Sequence, residues 1–153
     1  MEIVFWLSLF IVFYTFIGYG MLLYLIIKIK RAFRGKAASI TPIGNLLPCC
    51  TLIVAAFNEE LFIEDKIKNC LQLKYPAGKL KLLFITDGSS DATTSIVERY
   101  PQVTLLYQGT RAGKIAAVHR AMAHVDTEIV VFTDANTFLN SEAMINICRH
   151  YID

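Results

Sequence analysis

Three short apolar runs in this chain each end on a polar, mostly acidic cluster, and that repeat restricts the fold more than any other feature. Thr51-Leu52-Ile53-Val54-Ala55-Ala56-Phe57 runs into Asn58-Glu59-Glu60. Leu82-Leu83-Phe84-Ile85 runs into Thr86-Asp87-Gly88-Ser89-Ser90-Asp91, and Ile129-Val130-Val131-Phe132 into Thr133-Asp134-Ala135-Asn136. Unbroken apolar runs of this kind, separated by helix-length segments, are the pattern of strands buried on both faces of a parallel sheet. In open α/β sheets the ligand lies outside the carboxyl ends of the strands, so the polar groups fall where such a fold binds. Carboxylates gathered at one sheet edge repel one another, which calls for a cation or a hydrogen-bonding ligand. Asp and Asn are also good turn and N-cap residues. That accounts for any one cluster, but less well for three in series.

An uncharged stretch precedes the sheet. From Ile3 to Ile27 there is no charged residue, and a helix of that length spans roughly 37 Å at about 1.5 Å per residue. The hydrocarbon core of a bilayer is about 30 Å thick, so residues 3–27 are expected to cross it with some tilt. Trp6, Tyr19 and Tyr24 lie towards the ends, where aromatic rings suit the interface. A cleaved signal peptide fits poorly: Met1-Glu2 is no basic start, and the stretch exceeds the usual ~7–15 apolar residues. Lys28, Lys30, Arg31, Arg34 and Lys36 follow directly. Basic flanks stay cytoplasmic, so the expected topology is N-terminus outside and a cytoplasmic soluble domain, with residues 28–48 as a basic linker beside the lipid headgroups. A net charge of only +2 argues against a nucleic-acid partner. Cys49, Cys50, Cys70 and Cys148 lack metal-ligand spacing and read as apolar packing residues in a reducing compartment. His119, His124 and His150 are scattered and receive no catalytic role.

The remainder, residues 49–153, alternates in period. Strands are expected at 51–57, 81–85, 103–107 and 129–133. Helices are expected at about 59–73 (with Ile63, Ile67, Cys70 and Leu71 inward), 91–100 (capped by Asp91) and 114–124, with a last one capped by Ser141. Strands alternating with helices give a three-layer α/β fold with a parallel sheet. At the strand ends, Asp87 can accept hydrogen bonds from a base edge or a ribose. As the end of a strand it need not belong to the core. Arg111-Ala112-Gly113-Lys114 joins two cations, a flexible backbone and a helix N-terminus, which suits a diphosphate. Neither a Walker A loop nor a G-x-G-x-x-G fingerprint is present. Asp134 and Asn136 are oxygen donors one residue apart, a pairing that hard cations such as Mg²⁺ or Mn²⁺ accept while bridging phosphates.

In this order the series Ala55-Ala56-Phe57-Asn58-Glu59, Thr86-Asp87-Gly88-Ser89-Ser90-Asp91, Gly113-Lys114 and Thr133-Asp134-Ala135-Asn136 resembles the nucleotide-sugar half of the family-two glycosyltransferases, which have the GT-A fold, related to the Rossmann fold. The likeness covers about residues 48–140. The span followed by a cytosolic domain is similar to membrane-bound polysaccharide synthases. The resemblance implies a hexosyltransferase that uses a nucleotide sugar, most often a UDP-sugar, and inverts the anomeric carbon. The acceptor would be a saccharide, a lipid or another hydroxyl compound. It implies that Ala55, Asn58 and Glu59 lie beside the nucleoside, that Asp87 binds the base, that Lys114 lies near the nucleotide, and that Asp134 holds the diphosphate through a divalent metal, with Asn136 completing the D-x-D element.

The chain departs from the family pattern at three points. Asn136 stands where a second Asp is usual, which leaves one charge less for a metal. His119 stands where Asn is frequent. The acceptor half, with its catalytic base, third metal ligand and Q-x-x-R-W motif, has no counterpart before Asp153. The expectation is therefore an incomplete chain, inactive alone, with no catalytic residue of its own identified. The rival reading is a non-catalytic nucleotide-sugar-binding or assembly subunit on the same anchor. A Rossmann-type oxidoreductase is a third, disfavoured by the missing glycine fingerprint.

Overall fold

A computed structural model describes residues 1–33 and 46–152. Most of the expected basic linker, including Arg34 and Lys36, lies outside the described residues. The rest falls into two compact units, an N-terminal helical one and an α/β one.

The helical unit comprises α1 (Glu2–Phe13), a π-helical turn at Tyr14–Gly18 and α2 (Tyr19–Phe33). The continuous stretch Glu2–Lys30 is, by length and composition, able to cross a membrane, and no part of it is buried by protein. Two of its hydroxyl side chains bond back to the helix. Ser8 Oγ donates to the Val4 carbonyl at 2.8 Å and Thr15 Oγ1 to the Ile11 carbonyl at 2.7 Å, the i to i−4 back-bond open to a helical Ser or Thr.

The α/β unit runs β1 (Cys50–Ala56), α3 (Ile63–Leu71), β2 (Leu80–Asp87), α4 (Thr93–Glu98), β3 (Thr104–Gln108), α5 (Lys114–Met122), β4 (Ile129–Asp134) and α6 (Ala143–Cys148). All three strand pairings are parallel, in the order β3-β2-β1-β4. The parallel sheet with flanking helices matches the sequence expectation. The chain adds β2 and β3 on one side of β1, then returns to place β4 on the other. Such a reversal opens a crevice at the carboxyl ends of the two strands that flank the switch point, here β1 and β4, with Ala55 directly opposite Asp134.

Alternate residues of each strand serve different layers, because side chains alternate across a strand. Leu52, Val54 and Phe84 pack with Ile63, Ile67, Val97, Met144 and Cys148, so α3, α4 and α6 cover that face. Ile53, Leu83 and Ile85 pack with Ala117 and Ala121 of α5 on the other. Each fully buried aliphatic or aromatic side chain contributes about 1.5–3 kcal/mol, so this double-sided burial is what holds the strand ends in register. All four cysteines are free, and Cys50, Cys70 and Cys148 are buried, as packing residues should be.

Three local expectations are corrected. The helix expected from residue 59 starts at Ile63, because Glu59 to Phe62 form a turn in which the Glu59 carbonyl accepts the Phe62 and Ile63 N–H groups. Leu71 is 40 % exposed rather than inward; the fourth inward position of α3 is Lys66. Ser141 does not cap α6. Asn140 Oδ1 accepts the Glu142 N–H instead, while the Ser141 carbonyl accepts the Lys74 N–H.

Candidate nucleotide-sugar site

The carboxyl ends of β1, β2 and β4 and the N-terminus of α5 converge on a cleft of about 370 Å³, within the usual range for small-molecule sites. Of the seven residues expected to bind, Ala55, Glu59, Asp87, Lys114, Asp134 and Asn136 line it. Asn58 does not. It sits at positive φ (53°) just beyond β1, and its side chain is spent on the neighbouring loop. Its Oδ1 accepts the Ser90 N–H at 2.9 Å and its Nδ2 donates to Ser90 Oγ at 3.3 Å.

Asp91 serves the same stitching. Its Oδ1 accepts the Thr93 N–H and hydroxyl at the start of α4, and its Oδ2 accepts the Glu60 N–H. Ser89, Ser90 and Asp91 thus tie the turn after β2 to the turn after β1. Only Asp87 of that motif reaches the cleft.

Asp87 is 5 % exposed. Its Oδ2 accepts the N–H groups of Ala112 (2.9 Å) and Gly113 (2.7 Å), and its Oδ1 accepts Arg120 Nη2 at 2.9 Å. Burial alone would raise its pKa, but Arg120 and the two N–H groups outweigh burial and hold it below the ordinary value. Two findings differ from the sequence reading. Asp87 belongs to the interior, and two backbone donors of the 111–114 loop are committed to it. Gly88 permits this closure. Its φ is +69°, and a Cβ there would lie 2.5 Å from the Arg111 nitrogen.

The other cations are also engaged. The Arg111 guanidinium lies 3.9 Å above the Phe57 ring, and Lys114 Nζ is 2.6 Å from Asp134 Oδ1. That last pair is exposed, 67 % and 56 % for the two side chains, so it is weak and open to replacement by a ligand. Ala135 is buried (1 % exposed) between Asp134 and Asn136, whose side chains stay exposed at the cleft. Among the described residues no three His, Cys, Asp or Glu side chains converge as a complete metal site. A carboxylate and an amide oxygen nevertheless fit an ion of the Mg²⁺ type, which keeps several waters and takes its other ligands from phosphates.

Arg120, Phe57 and Lys66 were not found from the sequence. Phe57 was hidden in an apolar run. Arg120 and Lys66 are single basic residues in helices, and nothing in their spacing shows that they point at strand ends.

The site can now be set beside known proteins. Residues 51–151 match the profile of Glycosyl transferase family 2. The chain belongs to that family. It is 30 % identical over 111 residues to a beta-monoglucosyldiacylglycerol synthase of Nostoc sp., covering 69 % of this chain and 24 % of that protein. It is 31 % identical over 107 residues to the poly-beta-1,6-N-acetyl-D-glucosamine synthase of Staphylococcus aureus, covering 65 % and 25 %. The chain therefore spans about a quarter of the length of these family 2 relatives. Among solved structures, a mannosyltransferase from Pyrobaculum calidifontis in complex with GDP-Man and Mn²⁺ superposes with a TM-score of 0.62 at 33 % identity, over 78 % of this chain and 36 % of that one. S. aureus TarS in complex with UDP superposes with a TM-score of 0.61 at 22 % identity, over 66 % and 31 %, which speaks for the fold alone. Over the part it covers, the chain has the parallel sheet and flanking helices of the GT-A fold.

Proposed function

We propose that this chain is the donor-binding part of a membrane-anchored glycosyltransferase, which moves a hexose from a UDP-sugar to a hydroxyl of a saccharide or lipid acceptor with inversion. In this reading residues 3–27 are the anchor, 28–48 a basic linker at the lipid surface and 49–153 the nucleotide-sugar part, on the cytoplasmic side. One observation carries it: three strand ends and one helix start bring a buried carboxylate, two cations and a carboxylate–amide pair to a single cleft.

The roles follow from what each group has left to offer. A carboxylate has about four acceptor positions, and Asp87 has three filled. One remains, which suits the single N–H of a uracil better than the paired donors of a guanine. Ala55 and Glu59, shaped by Asn58, would flank the nucleoside. Arg111 and Lys114 would face the diphosphate beside the start of α5, where helix N–H groups favour an anion. Asp134 and Asn136 would hold a divalent ion, which when bound would neutralise the leaving diphosphate. None of these residues is assigned the base that deprotonates the acceptor.

The test is calorimetric titration of the detergent-purified protein with UDP and GDP, each with and without Mn²⁺, followed by turnover of UDP-sugars by the full-length protein. Metal-enhanced binding of UDP over GDP is expected. Stronger binding of GDP would overturn the base assignment, and nucleotide binding with no turnover would favour the non-catalytic subunit.

A further inference from the structure

The inward face of α3 carries a lysine where an apolar residue would pack without penalty. Lys66 is 0 % exposed, beside Ile63, Ile67 and Cys70. Burying an ammonium is costly unless its hydrogens find acceptors. Lys66 Nζ donates to Thr133 Oγ1 at 3.0 Å and to the Thr137 carbonyl. These two acceptors straddle Asp134-Ala135-Asn136. One turn along α3, Asn69 grips the next stretch from both sides: its Nδ2 donates to the Leu139 carbonyl at 2.8 Å, and its Oδ1 accepts the Leu139 N–H at 2.9 Å. Burial holds the Lys66 pKa below its ordinary value, and the Asp134 charge opposes that shift only in part. Lys66 itself does not line the cleft.

We infer that Lys66, assisted by Asn69, is a positioning residue that clamps the 133–139 segment so that Asp134 and Asn136 both present their oxygens to the cleft. What those oxygens bind rests on the donor-site reading above; the clamp does not. Ala135 is the buried pivot of the segment, and Lys66 holds the Thr133 hydroxyl on one side of it and the Thr137 carbonyl on the other. The neutral amide at position 136 holds an ion more weakly than a carboxylate would, so its orientation carries more of the affinity.

The experiment uses Lys66→Met, which keeps the unbranched apolar stem, one atom shorter, and removes the donors. Two quantities are read in the full-length protein: the gain in UDP affinity on adding Mn²⁺, and hydrogen exchange of the Thr137 amide without metal. That amide donates to the Asp134 carbonyl at 3.3 Å in the clamped loop. The variant is expected to lose about tenfold of the Mn²⁺ gain, a loss of about 1.4 kcal/mol, with metal-free UDP affinity within about twofold and Thr137 exchanging at least about tenfold faster. A residue that only packs would lower Tm and leave the Mn²⁺ gain untouched, and that result in a folded variant overturns the inference. Should Lys66→Met not fold, Thr133→Val removes one acceptor and is read in the same way. If the parent shows no Mn²⁺ gain, the metal reading falls, and Thr137 exchange alone decides the clamp.

Discussion

Both oxygens of the Asp87 carboxylate already accept protein donors, so a substitution there changes the loop as well as the ligand site. Asp87→Asn is expected to weaken UDP binding about 10- to 100-fold, the ~1.5–3 kcal/mol of a bond to a charged group, and to lower Tm because Arg120 loses its partner. Calorimetry and thermal melts measure the two effects separately; unchanged UDP affinity in a folded variant would remove the base-binding role. The pH dependence has a definite sign. The folded pKa is held below the ordinary carboxylate value, so the charged form stabilises the fold at neutral pH. That contribution is lost as pH falls from the unfolded value through the lower folded one. Asp87→Asn should therefore flatten the decline of Tm as pH falls below the ordinary carboxylate range. Asp87 was legible from the sequence as a strand-end carboxylate. Its burial was not, because Arg120 lies 33 residues away and its approach depends on how α5 lies on the sheet.

At the scale of elements, the turn after β2 and the loop before α5 work as one piece. Gly88→Ala places a methyl group against the Arg111 backbone at positive φ. It should cost at least the ~1–2 kcal/mol of left-handed strain and weaken UDP binding with it; parental stability and affinity would show that the loop yields freely. Across the cleft, β4 and α5 meet through Lys114 and Asp134. Asp134→Ala should abolish most of the Mn²⁺ dependence of UDP binding, whereas Lys114→Met should weaken binding with and without metal. Titrations that show the same pattern for both variants would refute this division of roles. Within the sheet, Phe84 is fully buried, and Phe84→Ala should cost about 3–5 kcal/mol, read by denaturant unfolding. The strands were readable from their apolar runs. The starts of α3 and α6 were not: the Glu59–Phe62 turn delays α3 to Ile63, and the Asn140 side chain and the Ser141 carbonyl contact set the start of α6 at Ala143.

For the whole molecule, the proposal joins an apolar helix to a nucleotide-sugar domain. The protein should sediment with membranes and resist extraction by carbonate, and removing residues 1–33 should release the α/β unit from them. Orientation is tested with Ala77→Cys, placed in the exposed turn before β2. An impermeant maleimide should label it only after the cells are opened, against a parental background. Labelling in intact cells would reverse the proposed topology.

Local signals were enough for much of this. An uncharged run, strands reading as apolar blocks and polar groups at strand ends depend on neighbouring residues and on the period of each element, so they can be read along the chain. The order of the motifs was likewise sufficient to place the chain among the family 2 glycosyltransferases. The partners of those groups are different in kind. Lys66 under Thr133 and Thr137, Arg120 on Asp87, Arg111 on Phe57 and Asn58 across to Ser90 all join residues far apart in sequence. The contacts exist only because the sheet order β3-β2-β1-β4 brings the separate strand ends to one edge, and a single side chain carries no trace of which distant group will meet it there.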